Sequence, residues 1–308
     1  MGIKNLLKLI SRDADASINK RSHSDYSGKT IAIDGSISIY QWVSVGNARN
    51  IINAKGKKIN HVQGTFYRTA KMILSGITPV YVFDGAPPQL KSVIMKKRKE
   101  ARDIGKQLRV PREVFTECQY LLKLLGVPFV QAPSEAEAQC AHLSKLGYVY
   151  GVATSDSDLL AFGGKLLIRG MDSSGKTLTE INLEILLEQL EISYEQFIDL
   201  CIILGSDYAP GIAKVNSDRA LRLIQKYKTF EKVAEELKIK IPFDINEIRN
   251  EFKNPKVSNV GPFKLKKLSN NDINILREYL IDIHGLLPNR VDGTLNKLRE
   301  FYKIDYRN

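Results

Sequence analysis

Residues 30–36, TIAIDGS, and residues 79–85, PVYVFDG, read alike: a short apolar run closed by an aspartate and a glycine. Runs of this length, rich in β-branched and aromatic side chains and ended by a turn residue, predict buried strands, here Thr30–Asp34 and Pro79–Asp84. Pro128–Gln131 and Val149–Thr154 repeat the pattern, and a hairpin is expected near Lys165–Ile181. Helical periodicity fills the intervals: Ser36–Val45, His61–Ser75, Pro88–Leu108, Arg112–Leu125 and Glu135–Leu146. Strand and helix in alternation predict an α/β fold, a sheet wound with helices on both faces.

After Asn182 the pattern turns helical, through Leu183–Leu190, Ser193–Gly205, Asp218–Tyr227, Phe230–Leu237, Asn271–His284 and Val291–Tyr302. Pro255–Leu268 is weakly patterned, and Asn246–Asn271, rich in Asn, Lys and Pro, reads as loop-dominated. A soft boundary therefore falls near residue 182, dividing an α/β core (1–182) from a helical region (183–308).

Seven carboxylates stand just past the apolar runs or in short acidic motifs: Asp34, Asp84, Glu135 and Glu137 in PSEAEAQ, Asp156 and Asp158 in TSDSDLL, and Asp207 in LGSDYAP. In a parallel sheet the carboxyl ends of the strands share one edge, so acids placed there converge. Two like charges about 4 Å apart cost roughly 4 kcal/mol at an effective dielectric near 20, so such a cluster calls for cations. Every candidate ligand is a hard oxygen, which favours Mg²⁺, with Mn²⁺ as its substitute, over zinc. Sites of this kind serve phosphoryl transfer or phosphodiester hydrolysis. Each acid also has a local structural explanation. Ser134 and Glu137 have capping-box spacing, Glu135 suits a first helical turn, Asp156 and Asp158 fit a turn, and Asp207 fits a cap.

The chain has 308 residues, 43% of them hydrophobic, and a formal charge of +12, which suits a phosphate-rich partner. Residues 91–112 hold nine Lys or Arg against Glu100 and Asp103. Within them Lys91 and Arg98 are seven apart and share a helix face, where the pair could clamp a phosphate. Cys118, Cys140 and Cys201 form no CxxC, and no metal-ligand spacing involves the four histidines, so a reduced intracellular setting is expected. No apolar run is long enough to span a membrane. One motif points elsewhere: Gly170–Thr177 fits the GxxxxGK[ST] phosphate loop, which keeps an NTPase as a rival. Such a loop must open a helix, whereas the residues after Lys176 alternate like a strand, so a hairpin turn over Asp172–Lys176 is the expectation.

At these residues the chain resembles the XPG/Rad2 family of 5′ nucleases. MGIKNLLKLI, IAIDGSISIYQ, FYRT, PVYVFDGAPPQLKS, APSEAEAQCA and DLCIILGSDY are similar to that family's blocks, in the same order. The resemblance implies a PIN-like 5′-nuclease sheet followed by a helix–two-turn–helix near 198–228. It also implies two-metal hydrolysis at the junction of duplex and 5′ single strand, that is, 5′-flap endonuclease and 5′–3′ exonuclease activity in replication and repair. By matched position, Asp34, Asp84, Glu135 and Glu137 would hold one Mg²⁺, and Asp156, Asp158 and Asp207 the other. Lys91 and Arg98 match the catalytic basic pair. Tyr40 matches an aromatic that stacks a nucleotide beside the cut. Gly2, Arg68, Glu135, Gly205, Asp207 and Gly211 match DNA-contacting positions.

Three departures from the family pattern stand out. Only about 50 residues separate Asp84 from Glu135, leaving a short arch over 87–111. The helix–two-turn–helix loop keeps Gly211 but loses later glycines and carries Asp218, where a monovalent cation would help. No clamp-binding peptide is recognisable after Tyr302, so a sliding-clamp partnership is unsupported. A soluble monomer acting on DNA is expected, in the nucleus or at a viral replication site. A sibling nuclease cutting bubbles, gaps or junctions and a non-catalytic junction binder remain the alternatives.

Overall fold

The computed structural model describes residues 2–49, 52–53, 56–91, 110–171, 177–241 and 243–304. Seven strands, β1 (Ile18–Arg21), β2 (Thr30–Asp34), β3 (Thr78–Phe83), β4 (Phe129–Gln131), β5 (Gly151–Ala153), β6 (Leu166–Arg169) and β7 (Leu178–Asn182), make one sheet in the order β1-β7-β6-β5-β2-β3-β4. The five strands from β6 to β4 run parallel, while β7 and β1 are antiparallel additions at one edge. The chain leaves β2 toward β3 on one side and returns as β5 on the other. That reversal is a switch point, where an α/β sheet opens a crevice beyond its carboxyl ends.

Alternation along the strands divides the apolar side chains between two layers, as a period of two requires. Ala32, Val80, Val82, Val130, Val152, Leu167 and Ile181 face one layer, with the helices Leu6–Asp13, Ala136–Lys145, Tyr194–Leu204 and Ile245–Lys253. Ile31, Ile33, Tyr81, Phe83, Ala153, Ile168 and Leu178 face the other, with Asn60–Leu74, Arg112–Leu124, Asn270–Glu278 and Pro288–Tyr302. Residues beyond 182 thus pack into both layers. An irregular segment, 254–269, carries the chain between them. Gln139 pins it by donating to the Ser258 carbonyl at 2.9 Å and accepting the Ser258 N–H at 2.7 Å, and Lys266 N–H reaches the Gly126 carbonyl at 2.8 Å.

Three elements lie outside the sequence reading. Residues 246–271 are loop-dominated as expected, irregular over 254–269, but they open on the helix Ile245–Lys253, which is capped by Asp244 and buries Ile245, Ile248 and Phe252. Helix Leu6–Asp13 and strand β1 were not foreseen. The helix is eight residues long, and β1, Ile-Asn-Lys-Arg, is too polar to show an apolar pattern. Both depend on distant partners, β1 pairing with β7 from Ile18–Ile181 to Arg21–Leu178.

The phosphate-loop alternative fails on its context. β6 and β7 pair antiparallel, and the next helix begins only at Leu183, so strand rather than helix follows Thr177. Asp172–Lys176 lie outside the described residues.

Candidate active site

Parallel strands deliver six of the seven acids to the switch-point edge. Asp34 ends β2, Asp84 follows β3, Glu135 and Glu137 follow β4, and Asp156 and Asp158 follow β5. Asp207 arrives from the loop after the Tyr194–Leu204 helix.

Local hydrogen bonds orient each carboxylate. Asp34, fully buried, accepts the Ile37 N–H at 2.9 Å and the Thr154 hydroxyl at 3.3 Å. Thr154 Oγ1 in turn accepts the Asp156 N–H at 3.1 Å, and Asp156 Oδ1 accepts the Asp158 N–H at 3.0 Å. Asp84 is more exposed. Its own N–H donates to Ser36 Oγ at 2.9 Å, and its Oδ1 accepts the Ala136 N–H at 2.9 Å. Asp84 therefore serves the N-terminus of the Ala136–Lys145 helix from across the site. The capping box expected from Ser134 and Glu137 does not form: the cap residue is Glu135, without a side-chain cap bond. Glu137 instead hydrogen-bonds Asp34.

The acids feel one another. Burial first, then the charge of Asp84, pushes Asp34 up to about 7. Glu137 is raised by burial and then by Asp34 and Asp84, and Asp158 by burial and then by Asp156 and Asp207. Asp158 Oδ1 is buried without a hydrogen-bond partner among the described residues. Burial and like charge both disfavour ionisation, so this cluster is held at high electrostatic cost.

Among the described residues, Lys91 places its side-chain charge within it. Its Nζ pairs with Glu135 and lies 3.2 Å from Asp207 Oδ2. Burial alone would lower its pKa, but Glu135, Asp207 and Glu137 outweigh that and raise it. Arg98, its expected companion, lies outside the described residues.

A hard-oxygen cation fits the donor set, which consists of carboxylate oxygens, several of them buried and Asp158 Oδ1 without a partner among the described residues. No three of the described His, Cys, Asp and Glu residues come close enough to enclose an ion by themselves. Mg²⁺ does not need them to, since it keeps several waters and takes one or two carboxylates.

The chain's beginning is fastened to this edge. Ile3 N–H donates to Ser157 Oγ at 3.0 Å, and Lys4 donates its N–H to the Gly205 carbonyl at 3.1 Å and its Nζ to the Pro210 carbonyl at 3.0 Å. Gly2 has φ 101°, and a Cβ there would lie 2.3 Å from Asp156 Oδ1, so only glycine fits. Gly205 and Gly211 also have positive φ. A Cβ on Gly211 would meet the Leu204 carbonyl at 2.8 Å, so the two ends of this loop touch backbone to backbone.

Tyr40, 40% exposed, stands within the field of Asp84. Arg68 Nη1 donates to Ser38 Oγ at 2.5 Å, with its guanidinium over the Trp42 ring. Asp218 accepts from Arg12 of the first helix, so a guanidinium supplies the positive charge that position calls for. Sequence reasoning overlooked Ser36, Thr154 and Ser157. The signal was available, since each hydroxyl lies within two residues of a singled-out aspartate.

The sequence matches the family described as XPG N-terminal domain over residues 1–104 and the XPG I-region over residues 126–207. It is 37% identical over 346 residues to flap endonuclease 1 of Homo sapiens, covering 99% of this chain and 91% of the relative. It is likewise 37% identical over 331 residues to flap endonuclease 1 of Chlamydomonas reinhardtii, covering 97% of this chain and 84% of the relative. Flap endonuclease-1 from Methanococcus jannaschii superposes with a TM-score of 0.75 at 32% identity, over 93% of this chain and 96% of its own. The catalytic core of Rad2 in complex with DNA substrate superposes with a TM-score of 0.80 at 27% identity, over 96% and 99%.

Proposed function

The chain belongs to the XPG/Rad2 family of 5′ nucleases, and from that membership we propose that it is a structure-specific 5′-flap endonuclease with 5′–3′ exonuclease activity. Its substrate is DNA at the junction of a duplex and a 5′ single strand. The observation that carries the reading is the convergence of seven carboxylates on the switch-point edge with Lys91 as their cation. A purely structural cluster would have its charges paired.

The reaction depends on Mg²⁺. Asp34, Asp84, Glu135 and Glu137 would hold one ion and Asp156, Asp158 and Asp207 a second, with sharing between the sets. When bound, the ions supply positive charge against the transition state of phosphodiester hydrolysis. The chain's own residues do the rest. Lys91 is positioned among the acids to move onto a phosphate oxygen, and Arg98, seven residues on, assists it. Tyr40 offers a ring on which a base beside the cut can stack. Gly2, Arg68, Gly205 and Gly211 are the further residues this reading sets against the DNA.

Cleavage of a labelled 5′-flap duplex in Mg²⁺ and in EDTA, beside bubble and four-way-junction substrates, tests this. Cutting at the flap junction in Mg²⁺ and none in EDTA is expected. Activity undiminished in EDTA would remove the metal from the account, and equal cutting of all three substrates would remove the flap preference.

A further inference from the structure

Asp207 is the acid that no strand delivers. It sits in a loop, residues 205–210, that follows the Tyr194–Leu204 helix, so its distance from the other acids is not set by the sheet. The loop's own bonds give it a shape. Ser206 N–H donates to the Ala209 carbonyl at 3.0 Å and Tyr208 N–H to Ser206 Oγ at 3.1 Å, while the buried Tyr208 ring lies edge to face on Phe162 and Phe252. Neither hydrogen bond leaves the loop.

Residues 2–5 supply the link to the sheet edge. Ile3 N–H donates to Ser157 Oγ at 3.0 Å, between the two aspartates that follow β5. Lys4, the next residue, takes hold of the other loop on either side of Asp207, its N–H donating to the Gly205 carbonyl at 3.1 Å and its Nζ to the Pro210 carbonyl at 3.0 Å. A charged donor makes the stronger of those two bonds. The strap is anchored behind: Asn5 turns the chain with a left-handed φ of 57°, which asparagine tolerates better than most residues, and Leu6, Leu9 and Ile10 are fully buried. One dipeptide therefore bridges two loops whose carboxylates repel one another.

We infer that Lys4 is a positioning residue for the metal-dependent reaction. By spanning Gly205 and Pro210 while Ile3 holds Ser157, it sets Asp207 against Asp156 and Asp158 at the spacing a divalent cation requires. It acts through the loop carbonyls rather than on the phosphate. The inference rests on the ligand sets proposed above.

Mn²⁺ binding by the DNA-free full chain, read from the electron paramagnetic resonance signal of the free ion, tests this beside single-turnover flap cleavage over a Mg²⁺ titration. Lys4→Met keeps the stem and removes the charged donor. It should raise the Mn²⁺ dissociation constant about fivefold, the order of loss for one exposed charge-assisted hydrogen bond. The Mg²⁺ concentration for half-maximal cleavage should rise by the same factor, with DNA affinity in EDTA and the Tm in EDTA unchanged. Lys4→Arg, which keeps a charged donor, should bind Mn²⁺ within about twofold of wild type. Wild-type Mn²⁺ affinity in Lys4→Met would overturn the proposal. Weaker DNA binding with Mn²⁺ binding intact would also overturn it and make Lys4 a phosphate contact. An equal loss of Mn²⁺ affinity in Lys4→Arg would overturn it too, since the donor would then not be what matters. Absence of both Mn²⁺ binding and flap cleavage in wild type would overturn the reading of the site itself.

Discussion

Two buried acids, on helices that pack against each other in one layer, show how structure separates support from function. Asp199, in the helical layer, accepts Arg249 Nε and Nη2 at 2.7 Å each and the Phe230 N–H at 2.9 Å. Arg249 also holds Glu231 at 2.7 Å and 2.8 Å, so the group is paired throughout. Asp158 is as buried, yet one of its oxygens has no hydrogen-bond partner among the described residues and the charges that act on it most are other acids. The same side chain therefore plays opposite parts. Satisfied burial fixes a helix packing, whereas unsatisfied burial leaves an electrostatic demand that a bound cation would meet.

Breaking each side of this contrast should have opposite consequences. Asp156→Asn should lower single-turnover cleavage by about 10³-fold or more while DNA affinity, which rests on the basic surface, changes little. A near wild-type rate in saturating Mg²⁺ would exclude Asp156 from the site. Asp199→Ala should destabilise by about 3–5 kcal/mol, because it leaves the Arg249 charge without its main partner. Urea titration reads that loss directly, and a midpoint within error of wild type would show the network to be dispensable.

The active-site edge should behave in reverse. Asp34→Asn removes one of several repelling charges, so without metal it should raise stability by about 1 kcal/mol, a Tm gain of about 2 °C, while abolishing cleavage. A Tm below that of wild type in EDTA would mean that the Asp34 charge is stabilised by something other than a bound cation.

A third acid, Glu117, sharpens the comparison by lying between the two extremes. Burial raises it, but hydrogen bonds from Lys57 at 2.5 Å and His61 at 2.6 Å outweigh that and lower it. It sits where the C-terminal helices dock, with Tyr279 donating to its carbonyl at 3.2 Å and packing edge to face on His284. Burial holds His61 and His284 below the ordinary value of 6.5. A histidine with a depressed folded value favours the folded state fully above about pH 6.5, and that stability is lost as pH falls below it, since the unfolded chain takes up the proton first. Protection from hydrogen exchange in Asn270–Glu278, taken relative to the intrinsic rate at each pH, should therefore fall between pH 7 and 5.5, and less so in His284→Asn. Identical pH profiles for the two proteins would show that His284 does not drive the change.

Most of the sheet was legible before folding. Ile31–Ile33 and Val80–Phe83 are continuous apolar runs because a central parallel strand is covered on both faces, and an aspartate just past such a run falls on the carboxyl edge whatever the loops do. Six of the seven acids are placed by that reasoning alone. The resemblance in sequence blocks added the reaction, since chemistry is carried by the identity and order of residues within those blocks.

Other features depend on contacts between residues far apart in the chain, and local sequence holds no trace of them. β1 exists because β7, about 160 residues later, supplies its hydrogen bonds. Asp84 caps a helix that begins 52 positions on, and Lys91 takes Glu135 and Asp207 as partners from two different segments. Asp199 and Asp158 are indistinguishable as letters. Periodicity and turn chemistry are properties of neighbours and can be read from the chain. Which buried charge is paired and which is left wanting is a property of three-dimensional packing, and only the tertiary structure decided it.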